Sequence, residues 1–275
     1  MKDVSLRRWW WDMQRFGFSP AKLATRLRST EKPKIFCNSI PKSGTHLLER
    51  CLCLHPQLYR RFVPTLVKRN VMHYGGLPTL LTQIKGGQIL VAHLAFSSDW
   101  PSALNQNQVR SIFMIRDLRD VAISLAHHIS QRSDHRMFPI ASALPTFADK
   151  LRLAIEGSTE HGMPSMKEVA DNMAGWLTSS GMTVRFEDLI GPQGGGDETR
   201  QLATLRQLFA YLDLPISDAA LISLRNRVFS NQSPTFRKGA TRQWTAHFDP
   251  DMKQLFKSVA GESLILYQYE KDYDW

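Results

Sequence analysis

The segment IFCNSIPKSGTHLLERCL, residues 35–52, constrains the fold more than any other part of the chain. It begins with a short apolar stretch, Ile35 to Ile40, that has the character of a buried strand. After a brief turn, Thr45 to Leu54 has the pattern of a helix that ends before Pro56. A strand that leads through a short turn into a helix is typical of proteins with a parallel sheet, because the helix carries the chain back across the sheet.

Three further apolar stretches have the length and composition of buried strands: QILVAHL at 88–94, VRSIFMI at 109–115 and MTVRF at 182–186. We predict helices at residues 1–30, 118–129, 146–157, 166–178, 199–212, 216–228, 250–259 and 261–271, and irregular segments at 56–87 and 132–145. Short strands that alternate with helices predict an α/β fold, a three-layer sandwich in which a central parallel β-sheet is flanked by helices.

Charge divides the chain into a short extension and one large domain. Residues 1–32 contain eight Lys or Arg and three acidic residues. The excess of positive charge in this segment is half of the net charge of +10 of the chain. They have the pattern of a basic amphipathic helix with Trp and Phe on one face. We expect residues 33–275 to form one domain, since a chain of this length can bury a substantial core.

The composition limits the partners and the cellular location. A net charge of +10 favours an anionic partner, which leaves nucleic acid, a membrane surface and an anionic small molecule open. No apolar run approaches the ~20 residues of a membrane span, and no signal peptide pattern is visible. Three cysteines, an odd number, argue against a disulfide framework and favour the cytoplasm. We expect no metal, because Cys51-Leu52-Cys53 lacks a second cysteine pair.

The turn Pro41-Lys42-Ser43-Gly44-Thr45 has the composition of an anion site. A helix N-terminus offers unpaired N–H groups and a partial positive charge, and the turn adds an ammonium group and two hydroxyls. The turn is not the loop of nucleotide triphosphatases, since its lysine precedes its only glycine. The alternative interpretation is a basic turn with an ordinary helix cap.

Two more segments have the composition of phosphate sites. In RDLRDVAIS, residues 116–124, Arg116 follows a strand, while Asp120 and Ser124 lie one helical turn apart on one face. In SPTFRKGATRQW, residues 233–244, Arg-Lys-Gly lets two cations and bare backbone approach a phosphate. Each segment alone could equally be a capped helix or a solvated basic loop.

Together these segments resemble the nucleotide-dependent sulfotransferases, the family related to the cytosolic sulfotransferases. PKSGT looks like the 5′-phosphosulfate loop of that family, and R-x-x-x-D-x-x-x-S has the spacing of its 3′-phosphate motif. The segment FRKG with the later Trp and His-Phe is similar to its late Arg-Lys-Gly loop, and Phe-Glu-Asp-Leu to its Tyr-Glu-Asp-Leu element. His93, in Ala-His-Leu, stands where the family carries its catalytic histidine. The resemblance runs from about residue 33 to 260.

The resemblance implies a P-loop-type sulfotransferase fold for residues 33–275 and sulfonate transfer from 3′-phosphoadenosine 5′-phosphosulfate (PAPS), with adenosine 3′,5′-bisphosphate as product and no metal. It implies that His93 is the general base and that Lys42 stabilises the leaving phosphate. The cofactor-binding residues it implies are Pro41, Lys42, Ser43, Gly44, Thr45, His46, Arg116, Ser124, Phe186, Phe236, Arg237, Lys238 and Gly239.

Several positions depart from the family pattern. His46 and Leu47 stand where a second Thr and a Trp are common, so an aromatic ring that could stack on adenine is missing there. Phe186 replaces a tyrosine and loses its hydroxyl. Arg242 replaces a glycine, and a positive φ would cost arginine more than glycine, so the loop is expected to take another path.

The acceptor is the part of the reaction that the sequence leaves open. Residues 56–87 and 130–166 are expected to shape its pocket, and their aromatic and basic residues suit a small or medium organic acceptor. An alcohol, a phenol or an amine would serve, including a natural product or a lipid head group. The oligomeric state is also open.

Two other classes of protein compete with this interpretation, and the N-terminal segment has a possible second role. A small-molecule kinase would need a Walker lysine and a carboxylate for Mg²⁺, and neither motif is found. A nucleic-acid-binding protein is supported by net charge alone, so we expect no nucleic acid partner. Residues 1–30, with Trp9-Trp10-Trp11, could touch a membrane surface, although such a helix more often packs on its own domain.

Overall fold

The structure, a computed structural model, describes residues 2–26, 31–229 and 240–275. Within these residues the chain forms two compact units. The first unit comprises Met1–Ser39, Gly44–Ile115 and Ser179–Ala240, and the second comprises Ile40–Ser43, Arg116–Thr178 and Thr241–Trp275.

The first unit contains a parallel sheet. Its strands are β1 (Lys34–Ser39), β2 (Tyr59–Arg60), β3 (Leu66–Val67), β4 (Gln88–His93), β5 (Val109–Ile115) and β6 (Met182–Arg185). They are arranged in the order β2-β4-β1-β5-β6, with β3 also paired to β4, and each of these pairings is parallel. The predicted central parallel sheet of an α/β fold is therefore confirmed.

Along the chain, helices precede and follow the strands, so strands and helices alternate as the sequence pattern predicts. They are α1 (Lys2–Arg15), α2 (Pro20–Arg26), α3 (Thr45–Leu54), α4 (Lys68–Val71), α5 (Gly76–Thr82), α6 (Asp99–Gln106), α7 (Leu118–Gln131), α8 (Phe138–Ala143), α9 (Phe147–Glu156), α10 (Met166–Ala174), α11 (Trp176–Ser179), α12 (Phe186–Leu189), α13 (Glu198–Tyr211), α14 (Asp218–Val228) and α15 (Pro250–Leu266). None of the helices in the described part of the chain is both long and apolar enough to cross a membrane.

Both faces of the sheet are buried, which explains why its strands are apolar throughout. Ile35 and Cys37 of β1 share one face with Val91 of β4 and pack in a core with residues of α3, α13 and α14. Side chains at alternating positions point to the other face, and Phe36 there is also fully buried.

Several segments differ from the sequence-based prediction. In place of the one helix predicted for residues 1–30, the described residues 2–26 contain two helices, α1 and α2, with Gly17 in a left-handed conformation (φ 79°) between them. The segments 56–87 and 132–145, predicted to be irregular, contain β2, β3, α4, α5 and α8, and α6 was not predicted. The break predicted between helices 250–259 and 261–271 is confirmed by the non-helical Ala260 (φ −137°) within α15, but the second helical segment ends at Leu266 and not at residue 271. The division into residues 1–32 and 33–275 stays a prediction.

A buried carboxylate, Glu49 of α3, connects α1 to β2 within the first unit. Arg15 and Arg60 both donate to it, and His46 Nδ1 lies 3.8 Å from Glu49 Oε2. Burial alone would raise the pKa of Glu49, but the nearby His46 ring and the charges of Arg60 and Arg15 outweigh this effect and lower the pKa to about 2.

We expect Glu49→Gln to destabilise the protein by ~3–5 kcal/mol, because the buried guanidinium group of Arg60 and the partly buried one of Arg15 lose their counter-charge. The folded-state pKa of Glu49 lies below its ordinary value of 4.5, so its stabilisation is complete above pH 4.5 and is lost as the pH falls through about 2. Urea unfolding of both proteins across this range should show a steeper acid loss in wild type. Parallel pH curves would contradict the assigned role.

Candidate active site

The turn between β1 and α3 contains two residues in the left-handed region. Lys42 has φ 72°, and Gly44, the N-cap of α3, has φ 99° and ψ 28°. A lysine in this region is under strain of ~1–3 kcal/mol, and such strain is concentrated at functional sites. The N–H groups of the first turn of α3 lack helical acceptors, as at any helix start.

Gly44 cannot be replaced without moving an aromatic ring. A Cβ at this position would lie 2.4 Å from Phe186 Cδ2 and 3.1 Å from Met114 Cε. Phe186, the first residue of α12, is only 4% exposed. The ring therefore packs on the backbone of the turn, a supporting contact that the sequence did not indicate. Its predicted place in the cofactor site stays a prediction.

The two hydroxyls of the turn make internal hydrogen bonds. Ser43 is fully buried, and both its N–H and its Oγ donate to the Ile40 carbonyl, at 3.1 and 2.7 Å. In this conformation the Ser43 proton is directed into the turn and not outward to an anion. Thr45 Oγ1 lies 2.7 Å from Ser39 Oγ at the end of β1.

His93 is the last residue of β4 and is held by the end of β1. Its Nδ1 lies 2.9 Å from the Ser39 carbonyl oxygen and 3.1 Å from Ser39 Oγ. A carbonyl oxygen only accepts hydrogen bonds, which assigns the proton of the neutral ring to Nδ1. The basic lone pair of the imidazole then belongs to Nε2, as a general base requires.

Asn38 fixes the backbone next to His93. The amide of Asn38 is 1% exposed, donates to the Leu94 carbonyl at 2.8 Å and accepts from the Leu94 N–H at 2.9 Å. These two bonds extend the pairing of β1 with β4 by one residue. Sequence reasoning missed Asn38 and Ser39 as site residues, although polar side chains at the end of an apolar strand were a signal.

In the second unit, Arg116 is paired with a buried carboxylate. Arg116, which follows β5, is 5% exposed, and its Nη2 lies 3.3 Å from Asp120 Oδ2. Burial raises the pKa of Asp120, and the charge of Arg116 opposes this effect. Ser124 is half-buried and lies one turn after Asp120 on α7. The predicted face of Arg116, Asp120 and Ser124 thus has the expected backbone arrangement.

His128 of α7 shares the second unit with Lys42. Burial lowers the pKa of His128 to about 4, and the charges of Lys42, His135 and Arg132 add to this effect while Asp134 opposes it. His128 is therefore neutral at pH 7. The sequence gives no sign of this electrostatic coupling to the lysine of the turn.

The remaining predicted residues have different outcomes. Phe236, Arg237, Lys238 and Gly239 lie outside the described residues. His46 is about half exposed on α3 and is paired with Glu49. Arg242 adopts a left-handed conformation, with φ 54°, in spite of its side chain. The path of the loop before it lies outside the described residues and stays a prediction. No group of three or more His, Cys, Asp or Glu within residues 2–26, 31–229 and 240–275 is arranged to hold a metal ion.

Solved structures of similar fold include mouse sulfotransferase SULT7A1 complexed with PAP, with a TM-score of 0.59 and 18% identity over 88% of this chain and 90% of that one. Retinol dehydratase in complex with androsterone and inactive cofactor PAP has a TM-score of 0.56 and 14% identity, over 86% and 81% of the two chains. Retinol dehydratase with retinol and PAP gives 0.55 and 14%, over 86% and 82%. At these identities the likeness concerns the fold.

Sequence comparison gives the family. No curated protein sequence matches the chain. A family model described as the sulfotransferase domain matches residues 32–191, which is more than half of the chain. The match includes the turn before α3, His93, and the Arg116–Ser124 segment. The chain belongs to the sulfotransferase family.

Proposed function

We propose that this protein transfers the sulfonate group of PAPS to a hydroxyl or amine of a small or medium organic acceptor. The observation that carries the proposal is the turn from Pro41 to Thr45, in which Lys42 and Gly44 are both left-handed at the start of a helix. Such a turn directs backbone N–H groups and a cation toward an anion. Family membership and the PAP in three similar structures support PAPS as donor.

The residues present suit the two anionic ends of the donor. Lys42 and the first turn of α3 would hold the 5′-phosphosulfate, together with Pro41, Gly44, Thr45 and His46. Ser43 would join them only if its hydroxyl left the Ile40 carbonyl and turned outward. Arg116 and Ser124 would hold the 3′-phosphate, together with Arg237, Lys238 and Gly239, and Phe186 and Phe236 would lie near the nucleotide. A guanidinium group is well suited to a phosphate, because its planar fork can donate two parallel bonds.

The donor supplies a sulfonate that is activated by its bond to a phosphate oxygen. His93 Nε2 takes the proton of the acceptor as the acceptor oxygen or nitrogen forms its bond to sulfur. Lys42 stabilises the negative charge that grows on the bridging oxygen as the old sulfur–oxygen bond breaks. Ser39 keeps the His93 ring in the tautomer that this step needs, because its carbonyl accepts from Nδ1.

The acceptor is an organic small molecule, a natural product or a lipid head group. Two of the similar structures contain small alcohols of this kind, retinol and androsterone, bound to retinol dehydratase. We place the reaction in the cytoplasm, in keeping with three buried cysteines that form no disulfide.

We expect the purified protein to release adenosine 3′,5′-bisphosphate from PAPS in EDTA, with labelled sulfonate appearing on at least one acceptor. A screen of alcohols, phenols, amines and lipids with ³⁵S-labelled donor measures this directly. Lys42→Met and His93→Asn serve as inactive controls. Formation of ADP from ATP and Mg²⁺, with no transfer from PAPS to any acceptor, would instead identify a small-molecule kinase.

A further inference from the structure

A buried arginine in the second unit contacts two tryptophan rings. Arg119 of α7 is 2% exposed, and its Cζ lies 3.8 Å from the centroid of the Trp244 ring and 4.5 Å from that of Trp275. The two rings also contact each other edge to face, with centroids 5.7 Å apart and an interplanar angle of 84°. The three side chains thus form one cluster, the Arg119 cluster.

Carboxylates fix the guanidinium group within this cluster. Arg119 Nε and Nη2 donate to the two oxygens of Asp117, at 2.9 and 2.7 Å, and Nη1 lies 2.6 Å from Glu270 Oε1. Asp117 is also the N-cap of α7, because it accepts from the Arg119 N–H. The cluster therefore connects the start of α7 to Trp244 and to residues 270–275.

One shared carboxylate links the Arg119 cluster to Arg116. Asp120 is fully buried; its Oδ1 accepts from the backbone N–H of Trp244 at 3.0 Å, and its Oδ2 accepts from Arg116 Nη2 at 3.3 Å. A buried carboxylate is costly unless its oxygens keep their donors. A shift of the Trp244 backbone would remove one of the two donors of the Asp120 carboxylate. The carboxylate would then rotate and no longer orient Arg116.

We propose that Arg119, Trp244 and Trp275 are positioning residues of the 3′-phosphate subsite, and that they act on Arg116 through Asp120. The inference rests on the proposed function, since it assigns Arg116 to the 3′-phosphate of the donor. Trp275 touches neither Arg116 nor Asp120 in the contacts described, so any effect of Trp275 on phosphate recognition must pass through Trp244 and Arg119.

The test compares two nucleotides that differ only in the 3′-phosphate. Calorimetry gives the dissociation constants of adenosine 3′,5′-bisphosphate and adenosine 5′-monophosphate, and their ratio is the 3′-phosphate preference. Trp275→Ala should lower this preference about three- to tenfold, in line with the loss of a buried cation–π contact. The affinity for adenosine 5′-monophosphate should stay near that of wild type.

Matched variants separate positioning from general destabilisation. Trp176→Phe opens a space at a fully buried residue of the same unit, so it should lower Tm and keep the preference. Trp275→Phe retains a weaker aromatic contact and should give an intermediate preference; it also replaces Trp275→Ala if that variant does not fold. Arg116→Ala removes the direct contact and should lower the preference more than either.

The outcomes distinguish this inference from the function on which it rests. A wild-type protein without any 3′-phosphate preference would overturn both. A wild-type protein that prefers the bisphosphate, together with Trp275 variants that lose Tm but keep the full preference, would overturn the positioning role alone and leave the Arg119 cluster a packing feature.

Discussion

Replacing His93 with asparagine is expected to reduce sulfonate transfer by ~10²–10⁴-fold, which is the contribution of a positioned general base. Asparagine can still donate an amide hydrogen toward the Ser39 carbonyl that now accepts from His93 Nδ1, but it cannot take a proton from the acceptor. Donor affinity should therefore stay near that of wild type. Single-turnover transfer rates and calorimetry of donor binding measure the two quantities separately.

The pH profile tests the same role in a different way. Only the neutral imidazole accepts a proton, so wild-type transfer should rise as the pH rises through the titration of a histidine. His93→Asn should lose this limb of the pH profile. If His93→Asn transfers at the wild-type rate with an unchanged profile, the base is another group, and His46 is the next to replace.

The main strands could be predicted from the sequence because burial on both faces makes them continuously apolar. Residues 109–115 were predicted as a strand, and β5 has these limits. The strands β2 and β3 span only two residues each. Two residues cannot display a period, and it is their parallel pairing with β4 that orders them. No pattern within the chain could have indicated them.

The candidate site could also be predicted only in part. The sequence indicated Lys42, His93 and Arg116 because residue types at strand ends can be read directly. It could not indicate that Ser39 holds His93 or that Asp120 serves both Arg116 and Trp244. Such contacts depend on strand register and on residues far apart in sequence. The Arg237–Gly239 part of the site lies outside the described residues and stays a prediction.

The conformational cost of a single residue is also a poor guide to the structure when tertiary contacts offset it. Positive φ carries a steric cost for arginine, yet Arg242 has φ 54° at the start of the short helical turn Gln243–Ala246. The Trp244 N–H in that turn donates to the buried Asp120. A penalty of ~1–2 kcal/mol for one left-handed residue is comparable to one hydrogen bond to a charged group, so tertiary contacts can outweigh it.

Replacing Lys42 with methionine is expected to reduce turnover by ~10²-fold or more, because the variant keeps the length of the side chain and removes the charge that stabilises the leaving phosphate. The loss should appear mainly in kcat, since this charge acts more strongly on the transition state than on the bound donor. Steady-state kinetics with the acceptor from the screen measures it. Lys167→Met, at a partly exposed lysine of α10, is the control and should keep the wild-type turnover.

The left-handed backbone of Lys42 (φ 72°) permits a sharper version of this experiment. Glycine adopts such a conformation without strain, so Lys42→Gly removes the charge while it relieves the backbone. We expect Lys42→Gly to be at least as stable as Lys42→Ala in thermal unfolding and as inactive as Lys42→Met in turnover. Lys42→Arg should recover part of the rate, because it restores the charge in a different shape. If Lys42→Gly turns over at a rate near that of wild type, the lysine serves the conformation of the turn and the charge on the bridging oxygen is stabilised by other groups.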